Sequence, residues 1–177
     1  MKEKLPLNTP IPIGKAFTMH VYVDINHAGD QVTCRLRTGF IVYLNSAPTN
    51  WSSKTQGSCK TSTYGAEMLV MKHTTEVVRG LHYKLRMMGI PVEEPAFIFG
   101  DNQSVLANTI NPGSTIKKKM HSIVFHFIRE GCARKKWRTA YINTAENIAD
   151  LLTKPIPSGE KRWHSMSKIL HSFGSKG

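Results

Sequence analysis

The segment Phe17-Thr-Met-His-Val-Tyr-Val-Asp24 alternates, with Phe17, Met19, Val21 and Val23 on one side and Thr18, His20, Tyr22 and Asp24 on the other. A period of two marks a β-strand, and a mixed second face suits a central strand covered on both sides. A second strand is predicted over about Thr38 to Leu44. Asn45-Ser-Ala-Pro48 then reads as a turn into a third strand, about Thr49 to Ser53. Three strands joined by short connections predict an antiparallel meander. A long helix is expected from Ser62 to Met88, its core face traced by Val70, Val77, Leu81, Leu85 and Met88 and its end marked by Gly89 and Pro91. Extended backwards, that face reaches Thr74 and Glu67, so Glu67 points the way the core side chains point.

The apolar run Ala96-Phe-Ile-Phe-Gly100 predicts a buried strand that ends on Asp101, with Asn102, Gln103 and Ser104 as a polar turn able to open a helix. A helix near Ser104 to Ile110, a break at Asn111-Pro-Gly113 and a basic helix from about Ile116 to Ala133 follow. Arg138 to Asn143 reads as a short strand. Thr144 then caps a helix from Ala145 to Thr153, docked by Ile148, Leu151 and Leu152 and stopped by Pro155 and Pro157. Trp163, Met166, Ile169, Leu170 and Phe173 form the apolar face of a C-terminal helix, and Trp51 is expected in the core. The order βββ-α-β-α-α-β-α-α defines a mixed α/β domain with one sheet.

Pro6, Pro10, Pro12 and Gly14 make residues 1–15 an arm or linker. The expected division is this arm, a domain over 16–156 and a helical tail over 157–177. No apolar run approaches the roughly 18 residues of a membrane span, so no membrane role is expected. Three cysteines without a CxxC spacing argue against a disulfide framework or structural zinc and for a reducing, intracellular setting. Charge changes the picture most. Twenty-four Lys and Arg against twelve Asp and Glu give +12 over 177 residues, which points to a polyanionic partner, nucleic acid or, more remotely, an anionic membrane surface.

In so basic a chain the few acids are informative, and there are four aspartates: Asp24, Asp30, Asp101 and Asp150. Asp101 alone reads as a helix N-cap or turn former, and Glu67 alone as a first-turn acid favoured by the helix dipole. Together with Asp24 and Asp150 they form a pattern of acids at strand ends and helix starts. If the strands ending at Asp24 and Asp101 are parallel neighbours, their carboxyl ends share the sheet edge where α/β folds bind ligands. Converging carboxylates repel unless cations lie between them, and Mg²⁺ with its preference for oxygen ligands answers that need. Basic charge around such a cluster points to phosphodiester chemistry by a two-metal route, one ion generating the attacking hydroxide and the other stabilising the leaving oxygen.

The blocks Val23-Asp-Ile-Asn-His-Ala-Gly-Asp30, Trp51-Ser-Ser-Lys54, Ser62-Thr-Tyr-Gly-Ala-Glu67, Asp101-Asn-Gln-Ser104, His126-Phe-Ile-Arg-Glu130 and Ile148-Ala-Asp-Leu-Leu-Thr-Lys-Pro155 make the chain resemble, from about Phe17 to Ile156, the ribonuclease H domain of copia-type retrotransposon Pol polyproteins. The resemblance implies a ribonuclease H-like fold: a five-stranded mixed sheet, its first three strands antiparallel and its last two parallel, flanked by helices. It implies that Asp24, Glu67, Asp101 and Asp150 bind two Mg²⁺ ions, with Mn²⁺ as a possible substitute. Asp24 would bridge the ions, Glu67 and Asp101 would complete one site, and Asp150 would belong to the other. Three departures stand out: Asn26 replaces the second acid of an Asp-x-Asp block, the histidine of the basic helix is shifted to Lys119-Met-His121, and Asn143-Thr-Ala145 occupies the loop where cellular ribonucleases H carry a histidine.

The implied partners are an RNA–DNA hybrid and the reverse transcriptase domain of the same polyprotein, in a cytoplasmic retroelement particle. Lys117, Lys118, Lys119, Arg129 and the run Arg134 to Arg138 are candidates to hold backbone phosphates. Asn26, Ser62, Asn102 and Gln103 lie beside the acids and are candidates for ribose or backbone contacts. His27, His121 and His126 lack metal-ligand company and read as structural or phosphate contacts. The expected activity is Mg²⁺-dependent hydrolysis of the RNA strand of a hybrid during reverse transcription. The alternatives are an inactive relic, a hybrid-binding tether, or another nuclease of the same superfold such as an integrase, which uses a different acidic spacing. The missing polymerase ahead of Met1 leaves open a fragment of a decayed element.

Overall fold

The computed structural model describes residues 17–26, 36–55, 63–90, 92, 94–103, 119–155 and 158–170. Five strands form one sheet: β1 (Met19–Asn26), β2 (Arg37–Leu44), β3 (Ala47–Thr55), β4 (Ala96–Gly100) and β5 (Trp137–Tyr141), in the order β3-β2-β1-β4-β5. The helices are α1 (Thr63–Met87), α2 (Lys119–Ala133), the single turn α3 (Asp150–Thr153) and α4 (Glu160–Leu170). The arm, the predicted helix near Ser104 and the break at Asn111 lie outside the described residues.

The first three strands are antiparallel, with Val21 opposite Val42 and Ile41 opposite Trp51. Asn45 takes a left-handed conformation (φ 55°) between β2 and β3, and its side-chain oxygen accepts a hydrogen bond from the Thr18 N–H at 3.0 Å. The condition set by the sequence holds: β1 and β4 are parallel neighbours, Tyr22 beside Phe99, and β4 pairs in parallel with β5. Asp24 and Asp101 each follow that registered pair by two residues, so both reach the same edge.

Alternation along β1 divides the core in two. Met19, Val21 and Val23 join Phe40, Val42, Ile98 and Trp137 beneath α1 and α2, while Tyr22 turns to the other face with Ile41, Tyr43 and Ile148. The inward stripe of α1 runs through Met71, Thr74, Val78 and Leu85, all buried, and its backward extension does reach Glu67. Val77 and Leu81 pack at the margin of the core, but Met88 is 71% exposed because α1 ends at Met87 and Gly89 turns the chain away with φ 75°.

Three expectations fail on packing grounds. Trp51 is 62% exposed rather than in the core, because β3 is an edge strand on which alternate side chains face solvent. Ala145 to Thr153 is not one helix: residues 144–149 make successive turns and only Asp150–Thr153 is helical. The asparagine side chains compete with the helical ladder there, Asn143 Oδ1 accepting from Ala145 N–H and Asn147 Oδ1 from Ala149 N–H. In α4 the predicted face is rotated, with Trp163 69% and Met166 38% exposed, while Ser165 is buried and Ile169 packs on the sheet. Among the described residues no helix is long and apolar enough to cross a membrane.

Candidate active site

Asp24 stands on β1 opposite Gly39 of β2 and is 2% exposed. A carboxylate so buried needs partners, and α3 brings them. The Thr153 hydroxyl donates to Asp24 Oδ2, and Lys154 Nζ lies 3.5 Å from Oδ1. The same ammonium is 2.9 Å from Oδ1 of Asp150, itself 1% exposed. The turn is fastened to the sheet by polar bonds: Asn147 Nδ2 donates to Val23 O at 2.9 Å, Asn26 Nδ2 to Thr153 O at 3.2 Å, and Ser53 Oγ to Leu152 O at 2.6 Å. Gly39 permits the approach, since a Cβ there would meet Leu152 Cβ and Thr153 Cγ2 at 2.8 Å.

Asp24, Glu67, Asp101 and Asn102 share one cleft, floored by Val23, Ile25, Met71 and Gly100. Asp101 is half-buried and accepts a hydrogen bond from the Thr144 hydroxyl at 3.1 Å. This is where Thr144 acts, holding an acid of the cleft instead of capping a helix. Glu67 enters from α1; its Oε2 is buried with no hydrogen-bond partner, while the Asn102 side chain hydrogen-bonds the carboxylate.

Electrostatics link the acids. Burial pushes the Asp24 carboxyl above its ordinary range and the charges of Asp150 and Asp101 push it further, against the Thr153 hydrogen bond and Lys154. Burial likewise raises Glu67, Asn102 opposes this, and Asp101 and Asp24 add to it. Burial alone would lower Lys154, but the Asp150 hydrogen bond and the charges of Asp24, Asp150 and Asp101 outweigh it and hold the ammonium above its usual value. Concentrated negative charge, all-oxygen donors and an unpartnered Glu67 oxygen fit a hard divalent cation. Among the described residues no three acid, histidine or cysteine side chains are gathered tightly enough to hold an ion unaided. Asp24 and Asp150 are drawn instead toward Lys154, and Asp101 toward Thr144.

The polar residues proposed for nucleic acid are placed unevenly. Asn26 is tied to α3, Asn102 to Glu67, and Gln103 is exposed just past the cleft. Arg129 lies 5.0 Å over the Phe125 ring on α2. Exposed Arg138 pairs in register with Phe97 and thus faces away from Trp137 and α2, so the fold does not bring Arg129 and Arg138 together. His126 is exposed against the Phe125 ring. Ser62, His27, Lys117 and Lys118 lie outside the described residues, as do the side chains of Lys119 and His121. Thr144, Asn147, Thr153 and Lys154 carried no site role in the sequence reading. Lys154 had one available signal, its i+4 spacing from Asp150.

The sheet order β3-β2-β1-β4-β5, with α1 and α2 on one face, is that of the ribonuclease H-like fold. The N-terminal RNase H domain of Rv2228c from Mycobacterium tuberculosis superposes with a TM-score of 0.53 at 15% identity, covering 78% of this chain and 91% of that one. RNase H1 from Halobacterium salinarum gives 0.51 at 15% identity over 77% and 94%, and LC11-RNase H1 in complex with an RNA/DNA hybrid gives 0.51 at 14% over 77% and 94%. The chain belongs with the retrovirus-related Pol polyproteins of copia-type transposons. It is 32% identical over 143 residues to the Pol polyprotein from transposon RE1 of Arabidopsis thaliana, covering 81% of this chain. Against that from transposon TNT 1-94 of Nicotiana tabacum it is 29% identical over 136 residues, or 77% of this chain. The chain spans about a tenth of the length of these curated relatives. No family model matches it.

Proposed function

We propose that this chain is a Mg²⁺-dependent endonuclease that hydrolyses the RNA strand of RNA–DNA hybrids during retrotransposon reverse transcription. The observation that carries this reading is the meeting of Asp24, Glu67 and Asp101 in one cleft, with Asp150 joined to Asp24 through Lys154, on a ribonuclease H-like sheet. Asp24, Glu67 and Asp101 would hold one ion, and Asp24 with Asp150 a second. When bound, such ions supply an activated water and neutralise the charge that builds on the phosphate.

The protein's own contribution is positioning. Thr153 fixes one oxygen of Asp24 and Thr144 one of Asp101, so each carboxylate presents a chosen face to the cleft. The apolar floor of Val23, Ile25 and Met71 strengthens electrostatics above it. Water attacks phosphorus and the P–O3′ bond breaks, leaving 3′-hydroxyl and 5′-phosphate ends. Asn26, Ser62, Asn102 and Gln103 would contact the strand beside the acids. Lys117, Lys118, Lys119, Arg129 and Arg138 would neutralise phosphates, which the net charge of +12 favours. Residues 16–156 would carry the activity, with 1–15 as an arm and 157–177 as a tail, in a cytoplasmic particle beside the polymerase of the same polyprotein.

The test is cleavage of hybrid, duplex RNA and duplex DNA with Mg²⁺, beside Asp101→Asn. Hybrid-selective cutting that drops by at least 10²-fold in the variant is expected, as for loss of a group stabilising developing charge. Activity surviving in Asp101→Asn would sink the metal-site reading, and equal cutting of duplex DNA the hybrid specificity. Binding of hybrid without any cleavage would favour the tether.

A further inference from the structure

Lys154 occupies a place that the proposed chemistry does not use. Its ammonium lies 2.9 Å from Asp150 Oδ1 and 3.5 Å from Asp24 Oδ1, and both carboxylate side chains are about 1% exposed. We propose that Lys154 is an internal counter-cation that competes with a divalent ion for the Asp24–Asp150 pair. The inference rests on the reading of these acids as metal ligands and adds an order of loading to it.

Charge makes the two occupants exclusive. Two carboxylates sharing one ammonium keep a net negative charge, so Lys154 offsets only part of the charge buried there. A divalent ion neutralises the pair completely, and an ammonium remaining between the same oxygens would face it across a few ångströms of poorly screened space. The lysine is built to leave. It is the first residue beyond α3, with an extended backbone (φ −122°, ψ 142°) anchored by its N–H to Asp150 O at 2.9 Å. Its side chain is 32% exposed, so rotation of the flexible stem carries the charge to solvent while the anchored turn stays in place.

The other half of the cluster has no such device among the described residues. Among the described residues no lysine or arginine forms an ion pair with Glu67 or Asp101. An ion on the Glu67–Asp101 side thus meets Lys154, among the described residues, only through Asp24, its longer contact at 3.5 Å, whereas the Asp24–Asp150 side accepts an ion only as Lys154 withdraws. Two unequal sites, filled in that order, follow.

The experiment titrates the full chain with Mn²⁺, following free ion by electron paramagnetic resonance, and records melting in EDTA. Lys154→Met keeps most of the stem and removes the charge, and Lys154→Arg keeps the charge. Lys154→Met is expected to tighten the weaker site on the order of tenfold, a usual strength for coupling between two bound groups. It should leave the stronger site within about twofold and lower the melting temperature in EDTA, while Lys154→Arg stays near wild type. Lys154→Gln, which can still donate to Asp150, serves the same comparison if the metal-free Met variant does not fold. Unchanged or weaker Mn²⁺ binding in the Met and Gln variants would overturn the proposal and make Lys154 a support for the carboxylates. If wild type binds Mn²⁺ and Asp24→Asn does not, that result leaves the metal reading standing. Absence of binding in every protein removes both.

Discussion

Replacing Gly39 by alanine tests how α3 reaches the acids. The added Cβ would lie 2.8 Å from both Leu152 Cβ and Thr153 Cγ2, where ordinary contact begins near 3.4 Å, so the turn must retreat by about 0.6 Å. Neither obstacle is a flexible tip, because Leu152 Cβ is fixed to the backbone and Thr153 is buried with its hydroxyl on Asp24. Overpacking of this kind costs about 1–3 kcal/mol. For a domain of this size that corresponds to a fall in Tm of roughly 2–12 °C. The retreat also moves Asp150, Thr153 and Lys154 away from Asp24, and displacement of a catalytic group by about an ångström can lower turnover about 10²-fold. Gly80→Ala is the internal control. A Cβ at Gly80 meets nothing within 4 Å on the exposed side of α1, so the same substitution should stabilise by about 0.5–1 kcal/mol. Calorimetry and hybrid cleavage on both variants decide. Gly39→Ala melting with wild type and cutting at the wild-type rate would refute the idea that this glycine sets the approach of α3.

Metal-free protein should lose stability as pH rises above the ordinary carboxylate range, because Asp24 and Glu67, raised chiefly by burial, hold protons in the folded state above the pH at which the unfolded chain releases them. Melting in EDTA measures the slope, Asp24→Asn should flatten it, and a stability that climbs with pH in wild type contradicts the assignment. Gly131→Ala should be among the most disruptive single changes, since a Cβ there falls on the ring of Trp137, which is 2% exposed and donates from Nε1 to Ile128 O at 3.1 Å. A loss at or above the upper end of the roughly 1–3 kcal/mol range for overpacked cores is expected in urea unfolding. A wild-type midpoint would show that α2 and β5 can separate without penalty.

The positions that alternate or recur at helical spacing were legible from the chain alone. Met19, Val21 and Val23 had to share a face, Thr74 and Glu67 had to follow the apolar stripe of α1, and Ala96 to Gly100 had to be a strand ending at Asp101. These follow from backbone geometry and burial, which act over a few residues. The three-strand meander was legible for the same reason.

What the chain could not show is what depends on neighbours distant in sequence. Trp51 is exposed because β3 is an edge, a property of strand order rather than of residues near it. Thr144 has the side chain of a helix cap, and only the nearness of Asp101, 43 residues earlier, turns its hydroxyl to the cleft. Lys154 sits four residues from Asp150, which any helix would favour, but its contact with Asp24 spans 130 residues and exists because Gly39 lets α3 settle on β2. Local patterning thus placed the acids at strand ends and a helix start. Tertiary packing alone decided which cation and which hydroxyls meet them, because a buried charge takes its partner from whatever the fold brings within about 3 Å.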